Sequence, residues 1–85
     1  MQKLIETLQQ EDATFKDLLN CLEEIKALGD VILLKMDGKR STGWTTIRIS
    51  LPSLNQEAIY HEDSDFRETL IKALQEYVSI RRLDQ

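Results

Sequence analysis

Between Val31 and Leu51 the chain holds two β-rich runs around a turn bounded by glycines, and this hairpin constrains the rest of the fold more than any other feature. The first run is Val31–Asp37, the turn is Gly38–Gly43, and the second run is Trp44–Leu51. In the second run Thr45, Ile47, Ile49 and Leu51 point to one side, and Trp44, Thr46, Arg48 and Ser50 to the other. Register then follows from parity. For Ile32, Leu34 and Met36 to share a face with Ile47 and Ile49, paired residue numbers must add to an odd value, because a slip by one residue moves every side chain to the opposite face. A total of 81 pairs Leu34 with Ile47, Leu33 with Arg48 and Lys35 with Thr46, and leaves Gly38–Gly43 as the loop. A total of 79 also satisfies parity, with a shorter loop.

Helical patterns stand on both sides of the hairpin. Phe15, Leu18, Leu19, Leu22, Ile25 and Leu28 recur at the three- and four-residue spacing of an amphipathic helix, and Leu4, Ile5 and Leu8 carry a similar stripe upstream. Gln9-Gln10-Glu11-Asp12 interrupts the stripe, and Asp12 or Thr14 is suited to cap a new helix, so a short helix followed by a longer one is expected. Gly29 closes the second, as the residue that most easily turns left-handed after a helix. Pro52 ends the hairpin, since it has no amide proton for a ladder. Glu57–Glu62 is read as a short third strand. A last helix begins around Asp63-Ser64-Asp65, where Asp65 and Glu68 have the spacing of a capping box, and its core stripe is Phe66, Leu70, Leu74, Tyr77 and Val78, flanked by Ile71 and Ala73.

The expected fold is therefore α+β: an antiparallel β-hairpin or three-stranded sheet, with one or two N-terminal helices and a C-terminal helix packed on one face. Eighty-five residues form a single domain over 1–85, and 41% hydrophobic residues suffice for one core. Helices on one side leave the other side of the sheet, with Val31, Leu33 and Trp44, open to water or to a partner.

Charge is uneven along this chain of net charge −4. Residues 1–30 carry three cations against seven carboxylates, 31–51 four against one, and 52–85 four against seven. A basic centre thus lies between acidic flanks. The lone Cys21 forms no internal disulfide, where a small secreted domain usually has several. No apolar run reaches the ~20 residues that span a bilayer, and the first residues lack the apolar segment of a signal peptide. A cytoplasmic protein without membrane contact is expected.

The foremost candidate site is the outer sheet face with its loop: Val31, Leu33, Lys35, Lys39, Arg40, Trp44, Thr46 and Arg48. Large apolar groups rimmed by charge mark contact surfaces, and Trp and Arg are over-represented among binding hot spots. The plainer reading is a face covered by another element, or Trp44 packed at the rim of the core. Lys39-Arg40-Ser41-Thr42, with Lys35 and Arg48, has groups that receive phosphate, and Trp44 is suited to stack on a base. The loop lacks the P-loop spacing and does not lead into a helix. His61-Glu62-Asp63-Ser64-Asp65 with Glu68 lacks the central Gly and distal Glu of a calcium loop, and helix capping accounts for the same residues. Cys21 beside an apolar helical stripe reads as a small buried hydrophobe, and His61 as an isolated imidazole without a nucleophile beside it. No catalytic, cofactor or metal residue is assigned. The expected function is a non-enzymatic protein-interaction or regulatory domain, commonly a homodimer, that binds a partner protein through its sheet face or acidic helices. The alternative is nucleic-acid or anion binding by Lys39, Arg40, Arg48 and Trp44.

Overall fold

The computed structural model describes residues 1–39 and 44–83. Element order is α1 (Gln2–Leu8), α2 (Phe15–Ala27), β1 (Val31–Asp37), β2 (Trp44–Ser50), β3 (Ile59–Asp63) and α3 (Phe66–Leu83). The strands form one antiparallel sheet in the order β1-β2-β3, with the helices on a single face. Arg40, Ser41, Thr42 and Gly43, the last four residues of the expected loop, lie outside the described residues.

The break between α1 and α2 falls where polar residues interrupt the apolar stripe. Thr14 caps α2: its hydroxyl accepts from the Asp17 amide at 3.1 Å, and the Asp17 carboxylate accepts from the Thr14 amide at 2.9 Å. This reciprocal box satisfies two donors that a helix start otherwise leaves bare. At the other end Gly29 adopts φ +93°, the left-handed turn expected of it, and its amide bonds the Lys26 carbonyl.

The β1–β2 register adds to 81 throughout, from Val31 opposite Ser50 to Asp37 opposite Trp44. β3 continues the sheet with Ile47 opposite His61 and Arg48 opposite Tyr60. The third strand is thus present, starting two residues later than Glu57–Glu62 and ending one residue later. One face supplies Ile47, Ile49, Leu51 and Ile59 to the core, where they meet Leu4, Leu18, Cys21 and Ile25 from α1 and α2 and Leu70, Ala73, Leu74, Tyr77 and Val78 from α3.

Coverage of that face is unequal. Among the described residues α3 packs on β2 and β3, whereas β1 is covered by α2 alone. Met36 lies on the helix side of β1 as its parity requires, yet it is 68% exposed, because the single covering helix does not shield the far end of an outer strand. The α2 stripe is also rotated from its expected line. Leu18, Cys21 and Ile25 are buried and Leu22 is half-buried, while Phe15, Leu19 and Leu28 are exposed. These seven apolar positions within fourteen residues form a band wider than one packing contact accepts, and Cys21 takes the central place.

Two polar ties draw α3 onto the N-terminal half. Arg67 donates to the carbonyl oxygens of Ala13 and Glu11, which fixes the α1–α2 connection. Asp30, buried just after α2, accepts from Tyr77 Oη at 2.6 Å and from Arg81 Nη2 at 2.5 Å. No buried side-chain nitrogen or oxygen among the described residues lacks a hydrogen-bond partner.

Candidate interaction surface

Strand pairing arranges the outer sheet face in rows. One row runs Leu33, Arg48, Tyr60 and the next Lys35, Thr46, Glu62, with Val31 and Ser50 beyond the first and Asp37 and Trp44 beyond the second. Directly opposed side chains on one face are in reach of one another, so each row acts as a unit. In the second row the Thr46 hydroxyl donates to Glu62 Oε2 at 3.1 Å, and Tyr60 Oη donates to the same oxygen at 2.7 Å. The carboxylate therefore holds the Tyr60 ring in place over the strand.

Three apolar side chains stand open here: Val31 (57% exposed), Leu33 (64%) and Tyr60 (58%). Lys35 and Arg48 are exposed among them, whereas Thr46 and Trp44 are half-buried. Trp44 lines a shallow depression with Met36, Gly38, Thr45 and Phe66 at one end of the sheet. It thus belongs to the rim of the face.

Of the expected site residues, the sheet brings Val31, Leu33, Lys35, Thr46 and Arg48 together, with Trp44 at the margin. Lys39 lies past the strand, where its amide bonds Asp37 Oδ1 at 2.9 Å, and Arg40 is not described. The positive charge of the hairpin is offset on the same face, since Asp37 and Glu62 stand in the rows that carry Trp44 and Lys35. Tyr60 and Glu62 complete the surface and were not assigned to it from sequence. Their alternation with Ile59 and His61 held the signal, because Ile59 belongs to the core and its neighbours must turn outward.

A second concavity of about 720 Å³ runs between α2 and the start of β1, lined by Leu19, Leu22, Lys26, Val31 and Ile32, with Asp30 at its base. Its apolar lining from Leu19, Leu22, Val31 and Ile32 is rimmed by Lys16, Glu23 and Lys26.

The remaining candidates are engaged in structure. Asp63 Oδ1 accepts from the Ser64 amide at 2.6 Å and the Asp65 amide at 3.4 Å, and these backbone donors hold its carboxyl below the usual range. Asp65 caps α3 by accepting from the Glu68 amide at 2.8 Å. His61 Nε2 contacts Glu76 Oε2 at 2.9 Å. Burial pushes the Cys21 thiol up, away from the reactive thiolate. Among the described residues no group of three or more His, Cys, Asp or Glu is placed to hold a metal ion, and no helix is long and apolar enough to cross a membrane.

No protein-family model matches the chain, and no significant match exists among curated proteins or solved structures.

Proposed function

We propose that this chain is a non-enzymatic interaction domain of the cytoplasm, regulating a partner protein by binding it through the outer sheet face. The observation that carries the reading is the Leu33–Arg48–Tyr60 row, an aliphatic, a cationic and an aromatic side chain side by side on a face without helices. Apolar anchors provide contact area, and a cation between them supplies orientation. Tyr60 is already held by Glu62, so less side-chain freedom is lost when it is covered. The charge balance of the face, with Lys35 and Arg48 near Glu62 and Asp37, suits a protein surface better than a phosphate backbone.

Affinity capture from native extract, with and without nuclease, tests the reading. The expected result is a nuclease-resistant protein partner that is lost with Leu33→Asp and weakened with Arg48→Ala. Loss of all bound material on nuclease treatment, together with steep salt dependence, would transfer the function to nucleic-acid binding by Lys39, Arg40, Arg48 and Trp44.

A further inference from the structure

Exposed apolar groups are concentrated on α2 and β1. Seven large hydrophobic side chains stand exposed among the described residues, and six of them belong to α2 with its C-cap or to β1: Phe15, Leu19, Leu28, Val31, Leu33 and Met36. β1 is also an outer strand of the sheet, seven residues long. The opposite outer strand, β3, has five residues and ends in His61-Glu62-Asp63. Short, charged outer strands discourage pairing with another chain, and long apolar ones invite it. β3 is protected by both shortness and charge, whereas β1 is longer and has only Lys35 and Asp37 among five apolar residues.

We propose that β1 is a homodimerisation edge: the β1 strands of two copies pair antiparallel about a twofold axis at Leu34, joining two three-stranded sheets into one of six strands. The inference concerns the β1 edge and the α2 side, and it stands whether or not the outer face has a protein partner.

Three observations favour a second copy as the occupant. The first is register. Leu34 is the middle residue of β1, so an axis there pairs all seven positions, with Leu33 opposite Lys35, Ile32 opposite Met36 and Val31 opposite Asp37. No like charges meet, whereas an axis one residue later would set Lys35 against Lys35. Each opposed pair has the same parity, so all helices stay on one side of the joined sheet. Met36 of the second copy comes beside Ile32 at the floor of the α2–β1 concavity, where each monomer has apolar surface uncovered.

The second is charge. The whole chain is at −4, which drives copies apart, yet the charges on this side are mixed: Lys16, Lys26 and Lys35 against Glu23 and Asp37, with the buried Asp30 already paired to Arg81. Copies meeting here therefore avoid the carboxylate excess of the rest of the chain. The third is area. The exposed α2 side chains Phe15, Leu19 and Leu28 and the helix-side Met36 stand where a second copy's α2 and β1 come across the axis, so they add apolar area to the seven-residue strand pairing, while Val31 and Leu33 stay on the outer face.

Sedimentation equilibrium of the full chain, with charge substitutions at two exposed positions, tests the proposal. Wild type is expected at twice the 9.9 kDa of one chain. At position 33, Leu33→Lys faces Lys35 of the second copy and Leu33→Glu attracts it. At position 31 the preference reverses, since Val31→Asp faces Asp37 and Val31→Lys attracts it. Leu33→Lys and Val31→Asp should each raise the dimer dissociation constant about tenfold or more relative to their opposite-sign counterparts, because each pair occurs twice per dimer. Circular dichroism and melting check that the variants are folded. A variant that unfolds is set aside, and its counterpart is compared with wild type. A monomer at all concentrations up to ~1 mM overturns the proposal. So does a dimer that loses affinity equally with either sign, as a contact elsewhere or a different register would. None of these outcomes depends on a second kind of protein, so failure here leaves the outer-face reading to its own test.

Discussion

Tyr77 and Asp30 stand 47 residues apart in the sequence and meet at 2.6 Å in the interior, the phenol donating to Oδ2 of the carboxylate. Arg81, one helical turn after Tyr77, donates Nε to the phenol oxygen at 3.2 Å and Nη2 to the same carboxylate oxygen, and its guanidinium lies 5.7 Å from the Tyr77 ring centroid. Asp30 thus anchors the last turns of α3 to the junction of α2 and β1. A buried carboxylate is tolerable here because a cation and a hydroxyl both donate to it.

Asp30→Ala removes the acceptor and leaves two donors stranded. It should cost about 2–4 kcal/mol in urea unfolding, against about 1–2 for Tyr77→Phe, which keeps the ion pair. A double-mutant cycle between the two should show strong coupling, because both substitutions act on one network.

The same site gives stability an alkaline limit. Tyr77 is pushed up to about 12, first by burial and then by the carboxylate that accepts its proton. Its unfolded value is about 10, so the folded state favours the protonated phenol. That contribution is complete below about pH 10 and is lost as pH rises through about 12, amounting to about 2–3 kcal/mol. Chemical unfolding across this range should show the decline in wild type and a flatter profile in Tyr77→Phe.

Helix capping should be measurable at two starts. Thr14→Ala removes the hydroxyl that receives the Asp17 amide, and Asp65→Ala the carboxylate that receives the Glu68 amide. Each should cost about 1 kcal/mol by thermal unfolding, with Thr14→Ser near wild type. The Asp63 carboxyl is lowered by the Ser64 and Asp65 amides, so its support for this turn is present above the unfolded aspartate value and disappears as pH falls through the lower folded value.

Two adjacent β1–β2 pairs should respond very differently to truncation. Ile47, opposite Leu34, is fully buried at the centre of the sheet, and Ile47→Ala should cost about 2–5 kcal/mol. Leu33, opposite Arg48, faces outward, and Leu33→Ala should stay within about 0.5 kcal/mol in monomer stability. Urea midpoints of the two variants measure the difference.

The strand register was legible down to two choices because it rests on parity: Ile47 and Ile49 had to face Ile32 and Leu34, only odd totals allow it, and between 79 and 81 the structure takes 81. The Asp65 cap was legible because Glu68 lies three residues on, while for α2 the sequence left Asp12 and Thr14 both open and the structure uses Thr14. The rotation of α2 was not, since periodicity shows how wide an apolar band is and leaves open which part packs inward. Leu19 and Cys21 both fit, and contacts with α3 and β1 decided between them. Met36 failed for a related reason, as parity chooses the face and says nothing of how far a helix covers it. The Asp30–Tyr77–Arg81 and Arg67–Ala13 ties join residues far apart in sequence, and nothing local at either end marks the other. On the outer face the hairpin residues were visible, while Tyr60 and Glu62 needed the pairing of β3 to bring them beside Arg48 and Thr46.

The core's dependence on α3 also has a bearing on how the protein is made. Leu70, Ala73, Leu74, Tyr77 and Val78 close the sheet over Ile47, Ile49 and Ile59, and Arg67 and Arg81 reach back to segments synthesised long before them. At about 5–20 residues per second, a nascent chain emerges for a second or more with its hairpin complete and its apolar side bare. During that interval the strands face the same hazard that α3 later removes. Chaperone engagement on the ribosome should accordingly peak after β3 has emerged and fall once the Tyr77 turn reaches Asp30.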